Sequence, residues 1–153
     1  MDWLKDLLNN PFFIASVSSW FVAQVLKTII NAIINKKLDW ERLVGDGGMP
    51  SGHSATVSSL ATMSALIYGT GSFEFAISAI LAIIVCHDAM GVRLETGKQA
   101  EVINEIVQSF NSLFEGKFTE VKLKEFVGHT PLQVMAGITI GIANALILHF
   151  FFL

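Results

Sequence analysis

Two histidines, each set beside a glycine and a proline, are the residues of this chain best suited to chemistry. His53 ends Pro50-Ser51-Gly52-His53, and His129 stands within Gly128-His129-Thr130-Pro131. Imidazole titrates near neutral pH, so a pair of histidines can divide nucleophilic and acid/base work. Pro50 can preorganise a helix start, Ser51 can cap that helix while its hydroxyl donates to phosphate, and Gly52 permits close backbone approach. His53 then falls in a first turn, where unpaired N–H groups attract an anion. His129, just before an apolar segment that opens with Pro131, sits at a second helix mouth, and two such mouths can face one anion. Phosphate chemistry at a lipid surface is what this arrangement suits. A plain helix cap at Ser51 and a capping role for His129 are the alternative readings of the same residues. His87 and His149 read as packing or local hydrogen-bonding residues. Gly47-Gly48 permit an irregular chain entry, but neither the glycine spacing nor the Lys-Ser/Thr ending of a nucleotide-binding loop is present.

The elements that must hold these residues are apolar. Of the 153 residues, 52% are of hydrophobic type and 15% are charged, against roughly 25% charged in a soluble domain. With a mean hydropathy of +0.58, the chain reads as one membrane-integrated domain, 1–153. A net charge of −3 gives no basis for nucleic-acid binding, which needs a concentrated positive surface. Cys86, the single cysteine, excludes an intrachain disulfide and reads as a buried, inert thiol. The start of the chain lacks the basic residues and cleavage site of a secretory signal, so the first apolar stretch is expected to be retained.

Four apolar segments can be drawn: 12–34, 51–68, 73–92 and 132–153. The first, at about 1.5 Å per residue, spans the hydrocarbon as a helix. Gln24, Lys27 and Asn31 in it fall at spacings of three and four, one polar stripe that must face protein or a wet cavity. Lys27 reads either as a snorkelling side chain or as a group awaiting an internal partner or phosphate. The second segment is rich in Ser, Thr and Ala, which suits close helix contacts inside a bundle, and Gly137 and Gly141 mark a packing face on the last. Residues 99–114 form an amphipathic helix expected to lie against the membrane or under the bundle, ended by Gly116, and 118–126 are expected to add a short helix. Eight of the ten Lys and Arg residues fall within 36–53 and 93–129. Cytoplasmic placement of both regions predicts four spans, outward termini and every candidate site residue at the cytoplasmic face. Zinc fits poorly, since His53, His87, Asp88 and His129 lack close multidentate spacing.

The ordered landmarks resemble the divergent branch of the type 2 phosphatidic acid phosphatase and vanadium-dependent haloperoxidase superfamily. They are Gly48-Met49-Pro50-Ser51-Gly52-His53-Ser54-Ala55, then Asp88-Ala89-Met90-Gly91-Val92-Arg93 with Gly97-Lys98-Gln99-Ala100, and finally Gly128-His129-Thr130-Pro131-Leu132-Gln133-Val134 with Gly137. Gln24 and Lys27 fit the same pattern. The resemblance implies an all-α membrane bundle of about four spans plus short or interfacial helices. It implies a metal-independent, cofactor-free hydrolysis of a lipid or isoprenoid phosphate, with His129 as the nucleophile and His53 as the general acid. Ser51 and Gly52 match its phosphate-contacting pair. The chain departs from the broader superfamily at Gln133, where an Asp is expected, and at Leu123, where an Arg is expected. Gln133 can orient His129 but cannot supply a carboxylate charge. Asp88 is expected to stand in for that carboxylate, and Arg93, Lys98, Lys27, Lys122 or Lys124 for the missing phosphate clamp, with Arg93 first. The alternative is a non-enzymatic lipid-binding or structural protein on the same scaffold. The partners expected are membrane lipids and the phosphorylated lipid, with a homo-oligomer left open, and the setting is the plasma membrane of a prokaryote.

Overall fold

The computed structural model describes residues 2–37, 40, 45, 47–113, 122–125 and 127–152. Arg42, Phe114, Gly116, Lys117 and most of the 118–126 segment lie outside the described residues; within that segment, 122–125 carry no helix. Six helices follow in order: α1 (Asp2–Leu8), α2 (Pro11–Asn35), α3 (Gly52–Tyr68), α4 (Phe73–Met90), α5 (Val92–Leu113) and α6 (Pro131–Phe152). Their starts follow from local chemistry. The Asn10 side chain accepts from the N–H groups of Phe12 (2.9 Å) and Phe13 (3.2 Å) ahead of α2. Ser51 and Ser72 accept in the same way from Ser54 (3.3 Å) and Phe75 (3.1 Å), each satisfying a donor that the helix itself leaves unpaired.

The result is an all-helical membrane bundle arranged around α3. Three helical stretches, at 11–35, 73–113 and 131–151, are long and apolar enough to cross a membrane. α3 is the fourth apolar segment. At 17 residues it is about 25 Å long, and it packs against α2, α4 and α6 at once. Its Ser, Thr and Ala residues make this possible. Ser54, Ala55 and Ser59 are fully buried, and at Gly137 and Gly141 of α6 an added Cβ would run into the Ser51 carbonyl and into Ser58 with the Ala55 carbonyl. Without a hydrophobic drive between helices in lipid, such close backbone approach and interhelical hydrogen bonds provide the cohesion. The Asn144 amide donates to Ser18 and Ser19 of α2 (both 2.8 Å), and the Ser59 hydroxyl donates to the Ala15 carbonyl (3.0 Å). Large apolar side chains point outward instead: Phe21 and Ile33 on α2, Ile80 and Ile83 on α4, Met135 and Phe150 on α6 are all exposed, as lipid-facing surfaces require.

Contacts along the helices fix which ends share a face. Phe12 at the start of α2 stacks on Tyr68 at the end of α3, centroids 5.3 Å apart. Ser51 at the start of α3 donates its N–H to the Gln133 carbonyl in the first turn of α6 (3.0 Å). The His129 N–H, just before α6, donates to Ala89 at the end of α4 (2.9 Å). The loop before α3, the α4–α5 junction and the entry to α6 therefore lie together on one face of the bundle.

Beyond that face the chain differs from the simplest reading of its sequence. The amphipathic helix begins at Val92, not near Gln99, directly after Gly91. Among the described helices it packs only on α4. Its small residues Gly97 and Ala100 are buried, and the backbone of Glu125 and Val127 closes over Gly97.

Candidate functional site

Three separate stretches of chain converge at this face. α2 contributes Lys27, whose side chain is 4% exposed. Its Nζ donates to the Gly45 carbonyl (3.2 Å), and its methylene stem lies against Gly48. The irregular turn at 47–50, which contains a cis Met49–Pro50 bond, delivers the chain to Ser51. Ser51 is fully buried. Its oxygen accepts from the Ser54 N–H and from the Ser54 hydroxyl (3.0 Å), so it serves as the N-cap of α3 and retains its own hydroxyl proton for donation. Gly52 and His53 follow in the first turn, with His53 exposed toward the mouth.

The third stretch is 128–133. Gly128 holds φ +91°, and a Cβ there would collide with the backbone of Arg93 and Leu94, so only glycine lets this segment press against the start of α5. That contact delivers His129 to the mouth of α3. The His53 and His129 rings stand 6.2 Å apart between centroids at an interplanar angle of 62°, which brings the two helix mouths together.

His129 is 3% exposed, and one side chain decides its tautomer. The Gln133 amide oxygen accepts from the Thr130 N–H (3.1 Å) and contacts His129 Nδ1 (3.2 Å). A backbone N–H can only donate, so the amide atom shared by both is the oxygen, and Nδ1 must be the protonated nitrogen. In the neutral ring the lone pair then belongs to Nε2. Burial pushes the His129 imidazole below its ordinary range, and the charges of Lys27 and His53 push the same way, against hydrogen bonds to Gln133 and to the Gly48 backbone. The ring is thereby held neutral at neutral pH, the form a nucleophile needs.

The other expected site residues lie further out. Arg93 Nε donates to Asp88 Oδ2 (2.7 Å), with both side chains more than 40% exposed. Asp88 is thus engaged with the guanidinium, while the group that holds the His129 ring is Gln133. Lys98 pairs with Glu95 on the open surface of α5 (2.7 Å). Leu123 is bonded through its backbone to both ends of the Asn104 amide. Lys122 lines a cleft of about 350 Å³ between α5 and residues 122–125 with Glu101, Glu105 and Glu125, an acidic surface ill suited to an anion. Among the basic candidates, Lys27 is the one whose charge is felt at His129.

A family model described as Divergent PAP2 family matches residues 8–144. The chain belongs to that family. Membrane protein YuiD of Bacillus subtilis (strain 168) is 42% identical over 157 residues, covering 97% of this chain and 99% of that protein. No solved structure matches. Membership in the Divergent PAP2 family and the lipid-facing helices make this an integral membrane protein related to phosphatases. The family match takes in all three converging stretches, from Lys27 to Gln133.

One feature of the site was present in the sequence but easily missed. Thr130-Pro131-Leu132-Gln133 is a helix-capping pattern, in which the residue three past the cap reaches back to the cap N–H. Gln133 does so, and its position opposite His129 follows from that local geometry.

Proposed function

We propose that this protein hydrolyses the phosphate monoester of a lipid or isoprenoid alcohol through a phosphohistidine, without a metal. The observation that carries the reading is the approach of His53 and His129 from two helix mouths beside the buried Lys27. The neutral His129 Nε2 attacks phosphorus and forms an N–P bond. The P–O bond to the alcohol breaks, and His53 as imidazolium gives its proton to the departing oxygen. A water then yields a proton to His53 while its oxygen bonds to phosphorus. The N–P bond breaks, phosphate is released, and His129 returns neutral and His53 protonated.

The Ser51 hydroxyl, the first-turn amide of Gly52 and the Lys27 ammonium supply donors for the phosphoryl oxygens. Arg93, oriented by Asp88, and Lys98 stand at the rim, where their role is to draw an anionic head group inward. Gln133 orients the nucleophile. The site is assigned to the cytoplasmic face of a prokaryotic plasma membrane, a placement supported by the clustering of basic residues on the loops that bear it.

A second reading has specific support: the amide of Gln133 gives His129 no negative charge, which favours a protein that binds phosphorylated lipid without turning it over. Purified protein in detergent, assayed for phosphate release across a panel of lipid and isoprenoid phosphates with and without EDTA, separates the two. Release that persists in EDTA is expected. Binding of the same lipids with no release from any of them would establish the binding protein instead.

A further inference from the structure

A site built to hold a phosphoryl group is expected to present donors, since every oxygen of the fully ionised group is an acceptor. Lys27, Ser51 and the first turn of α3 fit that rule. Gln24 breaks it. It lies one turn before Lys27 on the same face of α2 and is 5% exposed, and its amide carbon packs close to Gly52, 3.8 Å from where a Cβ would stand. Its amide oxygen is buried and has no hydrogen-bond partner. Leaving a buried acceptor unpaired is unfavourable, so one kept beside a binding site calls for a partner.

We infer that Gln24 selects a protonated phosphoryl oxygen: its amide oxygen accepts from the P–OH of the bound group, so that the site prefers phosphate to an oxyanion of the same charge that has no proton to give. This rests on the reading of the His53 and His129 mouth as a phosphate site and adds the protonation state of what it holds. A phosphate monoester carries such a proton in its monoanionic form, below a second pKa of about 6, and inorganic phosphate keeps one in the HPO4 dianion. Sulfate has nearly the same size and the same charge as that dianion and no proton. Against sulfate the Gln24 oxygen has no hydrogen to accept and places one lone pair against another. Lys27 and the two imidazoles act equally on both dianions, so the difference between them isolates the acceptor.

The test is calorimetric titration of the full-length protein in detergent at about pH 8 with inorganic phosphate and, separately, with sulfate. Wild-type protein is expected to bind phosphate at least tenfold more tightly, the scale of one hydrogen bond to a charged group. In Gln24→Met (Q24M), which keeps the side-chain length and removes the amide acceptor, phosphate affinity should fall about tenfold while sulfate affinity holds or rises. The apo variant should melt at the wild-type temperature or above it, because a thioether needs no partner. Equal binding of the two anions by wild-type protein would overturn the inference whether or not the variant folds, and leave the phosphate site standing. Undiminished discrimination in Q24M would also overturn it and assign the amide to a bound water. Binding of neither anion by wild-type protein would remove the phosphate site and this inference with it.

Discussion

The Thr130 N–H fixes the Gln133 amide oxygen, the oxygen fixes the Nδ1 proton of His129, and in the neutral ring the lone pair is left on Nε2. If that nitrogen attacks phosphorus, His129→Ala should abolish phosphate release. His53→Ala should slow it by roughly 10²–10⁴-fold, the usual worth of a general acid, and should let phosphohistidine accumulate, detectable by acid-labile label from a radioactive substrate. Wild-type turnover in the His129 variant would remove it as nucleophile. Gln133→Glu sharpens the point. A carboxylate beside the ring favours imidazolium, so it should raise the His129 pKa and move the acid limb of the kcat/KM profile to higher pH, with more activity above that limb and less below it. An unmoved limb would mean that Gln133 does not act through the ring. The basic residues should rank differently from their order in the sequence motif. Lys27→Met is expected to weaken phosphate inhibition by 10-fold or more, whereas Arg93→Ala, already exposed and paired with Asp88, should change it only about 2–3-fold. A larger loss in the Arg93 variant would move the clamp from Lys27 to the rim.

Helix packing decides whether those side chains meet at all, and here the close approach of α3 and α6 is the controlling contact. Ser51 bonds the first turn of α6 through Gln133, and Gly137 and Gly141 carry no side chain where α3 presses closest. Gly141→Ala places a methyl group against the α3 backbone and should lower the thermal midpoint in detergent, an overpacking cost of about 1–3 kcal/mol. Ile142→Ala, one residue on and lipid-facing at 40% exposure, should leave the midpoint almost unchanged. Size-exclusion recovery after heating measures both, and equal losses would show that the α3–α6 contact is not special. Much of this element-level arrangement was legible. The small residues of 51–68 and the four-residue glycine spacing both announce close packing, and Gln24, Lys27 and Asn31 announce a face turned from lipid. The early start of α5 at Val92 was not legible, because the apolar run of α4 passes into it with only Gly91 between. The pairing of Arg93 with Asp88 was hidden for a related reason: the two residues straddle that junction, and their spacing of five places them together only once the chain has turned at Gly91.

At the scale of the whole molecule, every converging element enters from one side of the bundle, so the orientation of the protein in its membrane decides which compartment the site serves. The stacking of Phe12 on Tyr68 puts the 69–72 turn on the face opposite the histidines. The sequence made the same division visible through charge, since the loops that carry the site also carry most of the lysines and arginines. It could not reveal that the cation beside His129 is Lys27 of α2 and not one of those on the loops. That depends on the turn at Gly48, which receives the Lys27 stem, and on the positive φ at Gly128, which sets His129 beside α5. Short loops rich in Lys and Arg remain cytoplasmic, so residues 36–53 and 93–129 should share the cytoplasmic side, with the 69–72 turn and the C-terminus outside. Cys86 is buried and is the single cysteine, so its replacement by alanine gives a clean background for single-cysteine labelling. Gly71→Cys, on the exposed turn, should react with an impermeant thiol reagent added to intact cells, whereas Lys37→Cys, exposed on the opposite face, should react only after the cells are opened. The reverse pattern would turn the protein over and give the two histidines to the external compartment, and labelling of both positions in intact cells would mean that α3 does not cross.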